Sequence, residues 1–405
     1  MNTRNILILT SDAGFGHRSA ANAVAKAFEI QYGEQAHVTI ANPVDDPKAP
    51  VFLRSAESDY DKLAREWPQF YKLGYKLSDM AMTTSATEMA YVILIYDIIA
   101  RLIRETNPDV IVITFPTYQY PVQAYRRITG HYIPIATVVT DLVSLQRMWF
   151  SEGVDLYIMP SEVAVNLAVE RGIDPSVIHM TGLPVNPALA DIPASKAEAR
   201  EPLGWDPNLF TVLAVGSKRV EGLDTFTNVL NHSGFPLQIV AVAGGNDELY
   251  QRFDATEWHT TAHIYNFVNN MPDMLHAADC VLSKAGGLII TESLACGLPM
   301  FIMQIIPGQE TGNAEFMKSQ GAGDVTLTPL ALLEAMAHWM VEDRALFRER
   351  AANAKLLGRP NAAVDAADLI WSLAAEGVTR RPSRFPLSVE QLKELLRQFG
   401  STATA

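Results

Sequence analysis

The sequence is poor in cysteine, with only Cys280 and Cys296 among 405 residues. That excludes a disulfide-stapled scaffold. The two fall in segments that read as a buried strand and a buried helix, as expected of a reduced cytosolic protein. Basic residues are scarce too: 32 Lys and Arg stand against 45 Asp and Glu, for a formal net charge of -13. Neutralising nucleic-acid phosphates takes an excess of Lys and Arg, so no nucleic-acid partner is expected. Long apolar runs are missing as well. The most apolar stretch, residues 91–103, is interrupted by Asp97 and Arg101 and falls well short of the roughly 20 residues that span a bilayer. No signal-peptide pattern, internal repeat or low-complexity tract stands out, and no carboxylate pair or His/Cys cluster reads as a metal site. A cytoplasmic protein is expected, with any membrane contact peripheral.

Short β-branched apolar runs alternate with helical patterns along the whole chain, which predicts parallel sheets with crossover helices, an α/β protein. The predicted strands are 4–10, 37–41, 109–114, 133–139, 154–159 and 177–181, then 210–215, 237–243, 262–265, 279–283, 299–303 and 323–326. The length favours two domains. Prolines 184, 187, 193, 202 and 207 punctuate the stretch between the two strand sets, so the boundary is placed there. The expected division is 1–190, 191–358 and terminal helices in 359–405, one near 362–375 and another near 389–399. Residues 51–82 differ from the rest. Trp67, Phe70, Tyr71 and Tyr75 are interleaved with Lys72 and other basic residues, a mix that suits either a lipid headgroup layer or a helix packed on the first domain.

The densest chemistry lies in Lys284-Ala285-Gly286-Gly287-Leu288, followed by Glu292 and then Gln309, Glu310 and Asn313. A strand, a two-glycine turn and a helix start suit a diphosphate, because the first helical N–H groups lack partners and glycine admits close approach. Glycines at that position also serve tight strand-to-helix packing. Glu292 can accept from the vicinal hydroxyls of a ribose, and the later amides and carboxylate can read sugar hydroxyls. Near the start, the loop after the first strand carries Asp12, Gly14, Gly16 and His17. Either Asp12 or His17 can serve as a base there, and each also reads as an ordinary turn, capping or packing residue. Asp141 follows the strand at 133–139 and is a secondary candidate. Ser217, Lys218 and Arg219 in the loop after strand 210–215 offer donors and positive charge for a leaving diphosphate.

These segments resemble the glycosyltransferases that make monogalactosyldiacylglycerol or glucosyldiacylglycerol, relatives of the peptidoglycan N-acetylglucosaminyltransferase. The resemblance runs through Thr10-Ser11-Asp12-Ala13-Gly14-Phe15-Gly16-His17, Met159-Pro160-Ser161-Glu162, Thr181-Gly182-Leu183-Pro184 and Lys284 to Asn313. It implies a glycosyltransferase-B architecture, two doubly wound Rossmann-like domains facing across a cleft, with a late helix returning to the first domain. It further implies an inverting transferase acting on a lipid acceptor such as diacylglycerol at the cytosolic face of a membrane, and the lack of a metal-site pattern makes a metal-independent one the economical reading. No cofactor is called for, since the UDP-sugar is a substrate. By position, Phe267 and Val268 would cradle the uracil, and Asp12 would be the base. Two features depart from the family pattern. Gln146 stands where a histidine is usual, and the loop from Gly216 to Gly222 holds fewer glycines. A UDP-sugar 2-epimerase, or a nucleotide-sugar binder with little turnover, remains the alternative.

Overall fold

The computed structural model describes residues 3–12, 15–51, 53–54 and 81–381. The first group of strands comprises β1 (Arg4–Leu9), β2 (Ala36–Ala41), β3 (Val110–Ile113), β4 (His131–Tyr132), β5 (Ile135–Val138), β6 (Leu156–Met159) and β7 (Ile178–Met180). The second comprises β8 (Phe210–Val215), β9 (Leu237–Val242), β10 (Thr261–Tyr265), β11 (Cys280–Lys284), β12 (Met300–Gln304), β13 (Gly323–Val325) and β14 (Thr379–Arg380). Two six-stranded parallel sheets result, in the orders β2-β1-β3-β5-β6-β7 and β10-β9-β8-β11-β12-β13. All twelve predicted strands are present to within two residues at each end. The short antiparallel pair β4 and β14 carries no apolar periodicity and was not anticipated.

Each sheet is buried on both faces, which is why its strands read as continuous apolar runs rather than alternating ones. In the first domain, Leu7, Leu9, Ile111 and Ile113 pack on one face, and Ile6, Ile8, Val110 and Val112 on the other. The helix Ala81–Thr106 holds the apolar stretch 91–103 and buries Ile95, Ile99 and Ile103, one face at a four-residue spacing, against that first core. Core packing thus accounts for this stretch. Among the described residues no helix is long and apolar enough to cross a membrane.

The helix Ala362–Glu376 crosses back to the first domain. Its Ala363, Ala366, Ala367 and Ile370 pack with Ala21, Val24, Ala27 and Phe28 of the helix Phe15–Tyr32, small residues that let the two approach closely. Tyr32 stacks on Trp371 at 4.1 Å and donates to Asp368 at 2.7 Å. The second terminal helix expected near 389–399 lies outside the described residues.

Strand register places the loops that matter. Leu9 pairs with Ile113, and Ile113 with Thr137, so β1, β3 and β5 end together and their loops emerge side by side. In the second sheet β8 and β11 are neighbours although β9 and β10 intervene in sequence, so the loops after them flank a switch point, where open α/β sheets bind ligands. Gly244, just past β9, fixes the shape of this edge. It has φ +64°, and a Cβ there would lie 2.2 Å from the Gly216 carbonyl oxygen. Gly244→Ala is expected to lower stability by about 1–3 kcal/mol, read as a drop in the denaturant midpoint.

Candidate active site

The carboxyl ends of the two sheets face each other across a cleft. From the first domain it is lined by Gly16, His17, Thr140, Asp141 and Ser144, and from the second by Ser217, Arg219, Gly286, Gly287, Leu288 and Glu292. Lys284, Gln309, Glu310 and Asn313 complete the second wall.

His17 sits in the first turn of the helix that follows β1. Its Nδ1 lies 2.8 Å from the Thr114 carbonyl oxygen and 2.7 Å from Thr140 Oγ1. A carbonyl only accepts, so Nδ1 carries the proton and donates, which leaves Nε2 as the lone-pair nitrogen. Phe115 meets the ring edge-on at 5.0 Å and Trp149 lies 6.1 Å away. Burial among these groups lowers the imidazole pKa to about 4; the Thr114 bond opposes that shift, and the Arg219 cation across the cleft reinforces it. The imidazole is thereby kept neutral, and its lone pair is confined to Nε2.

Asp12 does not share this position. Its carboxylate accepts from Arg18 Nε at 2.7 Å and Nη2 at 2.8 Å, and from Asn42 Nδ2 at 3.1 Å. It is not among the cleft-lining residues. The Arg18 hydrogen bonds, partly opposed by burial, hold its carboxyl below the usual range and so reduce its basicity. Of the two base candidates, His17 lines the cleft and Asp12 is held in an ion pair with Arg18 outside that lining. Asp12 and Arg18 are six positions apart, so their pairing is not evident from the residue order. Asp141 does line the cleft. Its Oδ2 accepts from Trp149 Nε1 at 2.7 Å, and burial raises its pKa to about 6 despite that bond.

On the second wall, the helix Gly287–Ala295 starts at Gly286 with no capping side chain, so no side-chain oxygen competes for its first N–H groups. Further along the same helix, burial raises the pKa of Glu292 to about 7. Lys284 and Glu310 form an ion pair, and the other Glu310 oxygen accepts from the Ile306 N–H at 2.9 Å. Glu310 is 3% exposed, lines the cleft and braces the loop through these two contacts. Asn313 is different. Its Nδ2 donates to the Ala285 carbonyl at 3.0 Å, which fixes the amide orientation, while its buried Oδ1 has no partner.

Three other expected donor residues stand apart. Lys218 is exposed and does not line the cleft, Phe267 is 64% exposed on the loop after β10, and Val268 next to it is also absent from the lining. Of these two consecutive basic residues, Arg219 lines the cleft and Lys218 points to solvent. Trp67, Phe70, Tyr71, Lys72 and Tyr75 lie outside the described residues. Sequence reasoning missed Thr114, Leu142 and Ser144. Thr114 acts through its carbonyl, which no residue identity announces.

Residues 17–185 match the monogalactosyldiacylglycerol (MGDG) synthase family, and residues 216–365 match the glycosyltransferase family 28 C-terminal domain. The first domain thus carries an MGDG synthase match and the second a family 28 glycosyltransferase match. Among the chain's relatives is the probable monogalactosyldiacylglycerol synthase 2, chloroplastic, of Oryza sativa subsp. indica, 29% identical over 396 residues that cover 95% of this chain and 84% of the relative. Monogalactosyldiacylglycerol synthase 3, chloroplastic, of Arabidopsis thaliana is 29% identical over 374 residues, covering 89% and 80%. The fold is also that of Acinetobacter baumannii MurG, with a TM-score of 0.57 at 16% identity over 91% of this chain and 99% of that one. A putative UDP-N-acetylglucosamine 2-epimerase from Listeria monocytogenes shares it, with a TM-score of 0.58 at 14% identity over 95% and 100%. The protein is thus a glycosyltransferase of the family 28 type with the glycosyltransferase-B architecture, and its curated relatives include MGDG synthases. Its two sequence matches meet at the cleft, the first beginning at His17 and the second at Gly216.

Proposed function

We propose that the protein moves a hexose from a UDP-sugar to a hydroxyl of diacylglycerol or a related lipid at a membrane surface, with inversion at the sugar carbon. The observation that carries this reading is the juxtaposition of His17 on one domain with an uncapped helix start, Glu292 and Asn313 on the other. A proton acceptor facing a nucleotide-diphosphate site across a cleft is what a single displacement needs. His17 Nε2 takes the proton of the acceptor hydroxyl as its oxygen bonds to the anomeric carbon. The bond from that carbon to the diphosphate breaks, and the charge released on the diphosphate meets Arg219, Ser217 and the N–H groups at Gly287. Glu292 holds the ribose hydroxyls, and Asn313 Oδ1 accepts from a sugar hydroxyl. The relatives' names specify monogalactosyldiacylglycerol, which favours galactose and a diacylglycerol acceptor.

The test is incubation with vesicles containing diacylglycerol and, separately, labelled UDP-galactose or UDP-glucose, followed by mass analysis of lipids and free sugars. A labelled glycolipid, with UDP-galactose preferred, is the expected result. An altered free nucleotide sugar without lipid product would move the assignment to epimerisation, and binding without any product would reduce the protein to a nucleotide-sugar binder. Asp12→Asn is expected to lower turnover by less than His17→Ala does, because it loosens the hold on Arg18 and Asn42 rather than removing the base.

A further inference from the structure

Glycine within a helix costs up to roughly 1 kcal/mol relative to alanine, so a helical glycine calls for a packing reason. Gly312 lies in the first turn of the helix Thr311–Ser319, with no positive φ to require it. A Cβ at Gly312 would lie 2.6 Å from Ser144 Oγ, 3.0 Å from Val143 Cγ1 and 3.4 Å from Val143 Cβ. Ser144 can rotate aside, but Val143 is β-branched and stiff. Both belong to the first domain, in the loop directly after Asp141.

That loop is fastened at both ends of its reach. Leu142 is 5% exposed and packs in the second domain's core with Ile290, Leu294 and Ala314. A Cβ at Gly287 would be 3.7 Å from Leu142 Cβ, ordinary contact, so two helix starts of the donor wall both abut this one loop. From behind, Ser161 Oγ donates to the Leu142 carbonyl at 2.6 Å and accepts from the Ala164 N–H at 3.2 Å, tying the loop to a helix of its own domain. The loop is a strut braced on one domain and seated on the other.

We propose that Gly312 is the closure contact of the cleft: its missing side chain lets the strut seat against the donor wall, and that seating sets the distance across which His17 meets the sugar. The inference rests on the transferase reading above for its kinetic consequence, and on geometry alone for its structural one. A side chain at Gly312 props the domains apart while leaving Glu292 and the Gly287 helix start intact. The contact itself thus positions catalytic groups without touching substrate.

The test compares Gly312→Ala and Gly312→Val with the unmodified protein. Displacement of reacting groups by about 1 Å can cost about 10²-fold, so turnover on vesicles is expected to fall about 10-fold for alanine and about 100-fold for valine. Affinity for UDP, measured by calorimetry, is expected to change by less than about threefold. In a background carrying Val143→Ala and Ser144→Ala, the cost of Gly312→Ala is expected to shrink below about threefold, the signature of direct coupling in a double-mutant cycle. Equal costs in both backgrounds, or UDP affinity falling in step with turnover, would overturn the proposal. If the unmodified protein transfers no sugar, the functional assignment fails by itself. The closure contact is then read from spin labels at Glu29→Cys and Glu248→Cys with UDP bound, both positions being exposed on opposite domains. A longer inter-label distance in Gly312→Val is expected, and an unchanged one would end the proposal.

Discussion

Replacing His17 with alanine is expected to lower turnover by about 10²- to 10⁴-fold, the usual worth of a positioned base, while UDP affinity changes little. The expectation follows from three contacts of the ring. Thr114 and Thr140 hold Nδ1, so Nε2 is the nitrogen with a lone pair, and the aromatic surroundings keep the imidazole neutral. With the pKa lowered to about 4, the neutral form persists well below pH 7. At saturating donor, turnover should stay level from pH 8 down to about 5.5 and decline only as pH approaches 4. An acid limb near 6.5 instead would mean that the working imidazole is not buried as described. His17→Gln should be nearly as slow as alanine, since an amide keeps hydrogen bonding but takes no proton near neutrality.

Glu292→Ala is expected to weaken UDP binding about 10- to 100-fold, the equivalent of losing hydrogen bonds to a charged group, with a smaller effect on turnover at saturating donor. The pH dependence separates this residue from His17. Burial raises the Glu292 pKa to about 7 in the unliganded protein, so the carboxylate that would accept from ribose hydroxyls is lost as pH falls through that value. Donor KM should therefore rise below pH 7 in a range where turnover is still flat. The same shift carries a stability sign. A carboxyl whose folded pKa exceeds its unfolded value contributes stability below the unfolded pKa, and that contribution disappears as pH rises through about 7. Glu292→Gln should thus raise the melting midpoint at pH 8 and leave it nearly unchanged at pH 4, as calorimetry would read. A weaker melting midpoint for Glu292→Gln at pH 8 would indicate a stabilising partner for the ionised carboxylate.

The architecture was legible because its physics is local and repetitive. Strands buried on both faces appear as runs such as Ile6 to Leu9 and Val110 to Ile113, and the crossover helices between them follow from the connection rules of parallel sheets. The second wall of the cleft was legible for a related reason. Gly286, Gly287 and Glu292 lie within one strand-turn-helix unit, so their spacing in sequence is their spacing in space. Asn313 needed one further strand, and its amide still lines the same wall.

Relations between distant side chains were not legible. Nothing in the residue order indicates that Arg18 closes on Asp12, that Glu310 pairs with Lys284 and the Ile306 N–H, or that the Thr114 carbonyl sets the tautomer of His17. Each depends on which loop lies beside which, and that is settled by strand order and register across the whole sheet. The same holds for Gly312, whose lack of a side chain acquires meaning only where Val143 and Ser144 arrive from the other domain. By itself, then, the sequence determined the framework of two parallel sheets and the strand-turn-helix unit that carries Gly286, Gly287 and Glu292, because both are written in contiguous residues. Only the tertiary structure decided that His17 and not Asp12 lines the cleft, and what holds the halves together, because burial and long-range hydrogen bonds depend on which loops lie side by side.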